Sequence, residues 1–103
     1  MELYDLLHPE AVKVVAAASS KKRVLHDMAQ LAGNCYDMRA EVLLEALLER
    51  EKLGPTGVGH GVALPHARSM DVDRVCGAFI LLESPLDFGS VDKLPVDVIF
   101  GLF

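Results

Sequence analysis

Thr56-Gly57-Val58-Gly59-His60-Gly61-Val62-Ala63-Leu64-Pro65-His66 is the stretch on which the fold turns. Glycines alternate at 57, 59 and 61, an apolar run follows, and a histidine stands behind a proline. Glycine tolerates φ > 0 and lets another group come close to the main chain. Successive N–H groups in such a turn can converge on an anion. Val62, Ala63 and Leu64 read as a buried strand, and Pro65 restricts Leu64 to extended backbone. His66 therefore ends a stiff segment next to an anion-accepting loop. A neutral imidazole is a nucleophile near pH 7. Nucleophile and cradle together suggest phosphoryl transfer through a phosphohistidine, with Thr56, Gly57, Gly59 and Gly61 as the phosphate-binding loop. The plainer alternative is a glycine turn between a helix and a strand, with His66 an ordinary strand-end histidine. A dinucleotide fingerprint fits poorly, because its glycines follow a strand and open a helix. A metal site on His60 and His66 fits worse: the glycines bend the segment, and no cysteine lies nearby to complete a shell.

Upstream, Leu43, Leu44, Leu47 and Leu48 form the apolar stripe of a helix, with Glu41, Glu45 and Glu49 opposite. Asp37 reads as its N-cap and Gly54-Pro55 as its stop. Arg50 falls in its last turn. A cation there suits the helix dipole with no further role, or its guanidinium can donate to phosphate oxygens on His66. Before this helix lies another, capped by Ser19 or Ser20, striped with Val24, Leu25, Met28, Leu31 and Ala32, and closed by Gly33-Asn34. Lys21, Lys22 and Arg23 crowd its first turn, where they oppose the dipole; they read as a solvated cluster reaching nearby carboxylates. At the N-terminus, Leu3, Leu6 and Leu7 share one face of a short helix ended by His8-Pro9, and residues 11–17 read as a strand.

Downstream, Arg68 shares a face with His66 if the strand continues, which makes it, with His60, a candidate secondary contact; a surface arginine is the commoner outcome. Ser69, Met70, Asp71 and Asp73 read as a loop, residues 75–82 as a strand, Ser84-Pro85 as the start of a long loop, and residues 96–100 as the last strand. Strands and helices alternating in this way predict an α/β (α+β) domain over residues 1–103, a mixed β-sheet flanked by helices.

Residues 56–68, TGVGHGVALPHAR, resemble the signature of the type-2 enzyme IIA family of the bacterial phosphoenolpyruvate-dependent phosphotransferase system, the mannitol/fructose and nitrogen-regulatory group. The similarity runs the length of the chain. It implies that His66 is phosphorylated through Nε2, with Nδ1–H held by a backbone carbonyl, and that Arg50, sixteen positions earlier, steadies the phosphoryl group. It implies an HPr-like phosphocarrier as donor, and regulatory protein targets or a IIB domain as the next partner. The LYDLL opening and Ser20-Lys21-Lys22-Arg23 resemble the nitrogen-regulatory subgroup, whose members act by phosphorylation-dependent binding. The alternative is a sugar-specific component passing the group to IIB. A third reading is an inactive homologue, because the family continues past this point with a long helical segment, a strand and a second histidine. On that ground the chain is expected to be shortened at Phe103, to leave one side of its sheet uncovered, and to form a homodimer in which two copies cover each other.

Composition bounds the rest. The 103 residues suffice for one domain, and 51% of them are hydrophobic. A net charge of −5 disfavours nucleic acid and anionic membrane and suits a partner with a basic face. No apolar run has membrane-spanning length, and MELYDLLHPE lacks the basic and apolar regions of a signal peptide, so a cytoplasmic location is expected. Cys35 and Cys76 have no CxxC relation and read as free thiols. The phosphohistidine scheme requires no cofactor, metal or nucleotide.

Overall fold

A computed structural model describes residues 3–68 and 74–103; the loop expected at Ser69, Met70, Asp71 and Asp73 lies outside them. The elements are α1 (Leu3–Leu6), β1 (Leu7–Val15), α2 (Lys21–Tyr36), α3 (Ala40–Lys52), β2 (Gly57–Gly59), β3 (Val62–Ala63), β4 (Gly77–Leu86) and β5 (Val96–Leu102). The sheet has the order β1-β4-β5-β3-β2. It is mixed: β1 is parallel to β4, β4 antiparallel to β5, β5 parallel to β3, and β3 antiparallel to β2. The expected fold class is thus observed.

Alternation sorts the side chains of β4; on β5 Ile99 lies opposite Ile80, and Val96 is buried beyond a register shift, opposite Leu86. Ala78, Ile80, Leu82, Val96 and Ile99 are buried and join Val24, Leu25, Met28, Ala32, Leu43 and Leu47 of the helices in one core. Each fully buried leucine in that core is worth about 2 kcal/mol. Met28 packs so closely on the sheet that a Cβ at Gly101 would stand 2.7 Å from its sulfur. On the other face Phe79 and Phe100 meet edge to face at 6.4 Å, and Val12, Val14 and Leu81 are 45%, 58% and 36% exposed.

Several boundaries differ from expectation. The α1 helix gives way to β1 already at Leu7, so His8 and Pro9 lie within a strand. Pro9 is tolerated because β1 is an edge strand with irregular register between Leu7 and Val12. Gly33-Asn34 does not close α2, which runs to Tyr36; Gly33 is internal, and the position suits glycine because a Cβ there would meet the Met38 carbonyl at 2.9 Å. Asp37 is the left-handed C-cap of α2 (φ 55°) rather than the N-cap of α3, which starts from Arg39 without a side-chain cap. Ser20 is the N-cap of α2 and accepts from Arg23 N at 3.1 Å. The β4 strand continues through Ser84-Pro85 to Leu86, and β5 continues to Leu102.

Tyr36 ties the β1 side together. Its hydroxyl lies 2.6 Å from Gly77 O and 3.0 Å from Leu6 O, and it accepts from His8 N. Burial pushes its ionisation upward, and does the same to the Cys35 thiol. Cys35 and Cys76 are free.

Candidate functional site

The glycine stretch is a hairpin. Gly57–Gly59 pairs antiparallel with Val62–Ala63, and the tip bends through Gly59 (φ 97°), His60 (φ 56°) and Gly61 (φ 79°). Two of its residues need glycine for this backbone; His60 takes the left-handed conformation at a cost of order 1 kcal/mol. The missing side chains also make room. A Cβ at Gly57 would collide with the Ser90 hydroxyl, at Gly59 it would stand 3.1 Å from Asp92 Oδ2, and at Gly61 3.2 Å from Asp97 Oδ1.

The hairpin already holds anions, and they belong to the chain itself. Thr56 N donates to Glu51 Oε2 at 2.9 Å and Thr56 Oγ1 to Glu51 Oε1 at 2.6 Å. His60 N donates to Asp92 Oδ2 at 2.9 Å, while Leu94 N donates to Oδ1 at 3.1 Å. These backbone donors, that of His60 first, hold the Asp92 carboxyl below its ordinary range. The main-chain amides of Thr56 and His60 are therefore committed internally.

Beyond β3 the chain stays in register with β5. Pro65 is buried, its carbonyl accepts from Leu102 N at 3.0 Å, and Ala67 N donates to Leu102 O at 3.1 Å. His66 is pinned on both sides and its side chain is exposed. Its Nδ1 lies 2.9 Å from Leu64 O. A carbonyl only accepts, so Nδ1 carries the proton of the neutral ring and Nε2 keeps a lone pair. Arg50 Nε donates to that Nε2 at 3.3 Å, and Arg50 Nη1 donates to Gly54 O at 2.9 Å. The last turn of α3 thus delivers its arginine to the imidazole, joining two residues sixteen apart.

The other candidates stand differently. His60 is exposed at the hairpin tip. Arg68 is exposed and no named strand continues to it, so the condition for sharing a face with His66 is not met. Leu64 is 37% exposed rather than buried. Lys21 does reach a carboxylate, Glu51 Oε2 at 2.9 Å, and lies over the ring of buried Phe88 at 5.3 Å. Glu51 escaped sequence reasoning because a glutamate near a helix end looks solvated; the one available signal was a threonine five residues on, within reach of a partly folded-back carboxylate. A groove of about 710 Å³ between α2 and α3, with Leu25, Leu44 and Leu48 among its walls, contains neither His66 nor Arg50.

The chain belongs to the family described as "Phosphoenolpyruvate-dependent sugar phosphotransferase system, EIIA 2", which matches residues 5–103. Among its relatives, the nitrogen regulatory protein of Bradyrhizobium diazoefficiens is 40% identical over 102 residues, covering 99% of this chain and 67% of that protein. The crystal structure of nitrogen regulatory protein IIA-Ntr from Neisseria meningitidis superposes with a TM-score of 0.88 at 36% identity, over 95% of this chain and 67% of the other. The complex of IIA-mannitol with phosphorylated IIB-mannitol from Escherichia coli shares the fold, with a TM-score of 0.81 at 20% identity over 94% of this chain and 70% of the other. The chain spans between 63% and 67% of the length of the nitrogen regulatory relatives. Among the described residues, no helix is long and apolar enough to cross a membrane.

Proposed function

We propose that the protein accepts a phosphoryl group on Nε2 of His66 from an HPr-like phosphocarrier and acts in the cytoplasm as a regulator whose protein contacts depend on that phosphorylation. The observation that carries this reading is the pair of bonds on one exposed ring: Leu64 O on Nδ1 at 2.9 Å and Arg50 Nε on Nε2 at 3.3 Å. The Nε2 lone pair attacks phosphorus in line; the bond from phosphorus to the donor's imidazole nitrogen breaks as the bond to Nε2 forms. Leu64 O stabilises the charge that builds on the ring. The Arg50 N–H that faced the lone pair turns to the incoming phosphoryl oxygens, a charge-assisted bond that suits a loose transition state with charge on its three equatorial oxygens. Because Arg50 Nη1 is held by Gly54 O, that turn needs little reorganisation. Gly57, Gly59 and Gly61 let the hairpin pack against Ser90, Asp92 and Asp97 as the phosphate-side loop, and Thr56 anchors it. His60 and Arg68 are outer contacts for the donor or its phosphate. No cofactor enters these steps.

The regulatory branch is preferred because nitrogen regulatory proteins of Bradyrhizobium diazoefficiens and Escherichia coli are 40% and 38% identical to this chain, whereas the fructose-specific EIIABC component of Bacillus subtilis is 31% identical. In the alternative, the phosphoryl group passes to a IIB domain during sugar uptake. Incubation with phosphoenolpyruvate, enzyme I and an HPr-like carrier, followed by mass spectrometry, tests the acceptor: His66→Ala abolishes labelling and His60→Ala retains most of it. Labelled His66→Ala protein overturns the assignment. Efficient onward transfer to a sugar-specific IIB domain would replace the regulatory reading by the alternative.

A further inference from the structure

Glu51 sits beside Arg50 in the last turn of α3, yet its side chain is only 9% exposed and carries three hydrogen bonds. Oε2 accepts from Thr56 N and from Lys21 Nζ, both at 2.9 Å, and Oε1 accepts from Thr56 Oγ1 at 2.6 Å. Thr56, 4% exposed, passes the connection on: its carbonyl accepts from Leu64 N at 2.9 Å. The carbonyl of the same Leu64 holds His66 Nδ1. On the other side of the turn, Gly54 O holds Arg50 Nη1. The acceptor nitrogen and the arginine that faces it therefore both hang from the turn at residues 54–56, and Glu51 is what fastens that turn to the helices.

We infer that Glu51 is a positioning residue for the His66–Arg50 pair: its carboxylate, braced by Lys21, fixes the 54–56 turn, and through Thr56 and Leu64 it fixes the tautomer and direction of the imidazole. The charge matters as well as the shape. Three donors converge on the two oxygens, which an ionised carboxylate satisfies because it only accepts. A glutamine can face Thr56 N and Lys21 Nζ only with its single carbonyl oxygen, its N–H₂ then reversing the bond to the Thr56 hydroxyl, and it loses the charge that strengthens the bond from Lys21. Small displacements of a reacting group lower rates steeply, because orientation supplies a large share of the catalysis.

The effect of this network on phosphorylation rests on the reading of His66 as phosphoryl acceptor; its effect on the ring does not. The test therefore uses two readouts on Glu51→Gln, Thr56→Val, Thr56→Ser and the control Tyr36→Phe, which loses a hydroxyl bonded to Gly77 O and Leu6 O at the β1–β4 side. Long-range ¹⁵N NMR of His66 at pH 8 gives the share of the Nδ1–H tautomer, and quench-flow labelling from a phosphorylated HPr-like donor gives the rate. Glu51→Gln and Thr56→Val lower the Nδ1–H share and slow labelling about tenfold; Thr56→Ser restores both, and Tyr36→Phe changes neither although it lowers stability. If Glu51→Gln does not fold, Thr56→Val decides alone. Wild-type tautomer populations in both Glu51→Gln and Thr56→Val overturn the inference. Absence of labelling in every protein, the wild type included, would instead sink the acceptor reading, while the tautomer measurement still decides the role of Glu51.

Discussion

Two carboxylates hold the hairpin that leads to His66, one at its base and one at its tip, by the same kind of bond. Glu51 takes the main-chain N–H of Thr56 and Asp92 that of His60, each at 2.9 Å. Their surroundings differ. Glu51 is nearly enclosed and shares its oxygens with a lysine and a buried hydroxyl, whereas Asp92 is exposed and its second oxygen only closes its own turn onto Leu94 N. Water can replace Asp92 at the amide it serves; it cannot easily replace Glu51. The base anchor thus carries most of the stability and orientation, and the tip anchor trims a local conformation.

The largest effect that would break this comparison is expected from Glu51→Ala. It leaves Thr56 N–H and its hydroxyl without partners in a closed site and costs about 2 kcal/mol, measured by urea unfolding; a loss no greater than that of Asp92→Ala would refute the ranking. Next comes Gly57→Ala, where the new methyl collides with the Ser90 hydroxyl. Overpacking of this sort costs about 1–2 kcal/mol. Ser90 has no hydrogen-bond partner for that hydroxyl among the described residues, so combining Gly57→Ala with Ser90→Ala should recover much of the loss. An additive double mutant would show that the hairpin base is not packed against Ser90.

The smallest effect sharpens the comparison through pH. The Asp92 carboxyl is held below its ordinary range in the folded chain, so its ionisation favours folding above the unfolded-state value near pH 4. That contribution disappears as pH falls further, through the lowered folded-state value. Asp92→Asn should therefore be slightly less stable than wild type at pH 7 and converge with it under acid conditions, as thermal melts at pH 7 and pH 3 would record. A gap that widens on acidification would mean that Asp92 is not the acceptor for His60.

Helix stripes were legible in large part, although Leu31, Leu44 and Leu48 of the same stripes are only half-buried, Leu44 and Leu48 lining the groove between α2 and α3. Val24, Leu25, Met28, Ala32, Leu43 and Leu47 are buried as their spacing predicts, because helical periodicity is a local property. Caps were less so. Asp37 looks like an N-cap by residue type, but the close approach of Met38 to Gly33 ends α2 in a left-handed residue, and Asp37 tolerates it. Pro9 marks a break in any single-sequence reading, yet an edge strand accommodates it. At the site, residue type and position made His66 and Arg50 candidates beside plainer alternatives, and the family resemblance, not spacing, favoured the functional ones. The committed amides of Thr56 and His60 were not legible, since the carboxylates that occupy them are five and thirty-two residues away.

By itself the sequence determined the class of fold, the helix faces and the histidine behind the proline, because these follow from residue type and short-range periodicity. The resemblance implied a bare Nε2 on His66 with Arg50 near it; only the tertiary structure supplied the bonds that hold the pair, from Leu64 O and Gly54 O, and showed that Glu51 and Asp92 hold the loop between them. Those outcomes depend on bonds between segments whose separation in the chain says nothing of their separation in space, and on burial, which decides whether a charged side chain meets water or a partner.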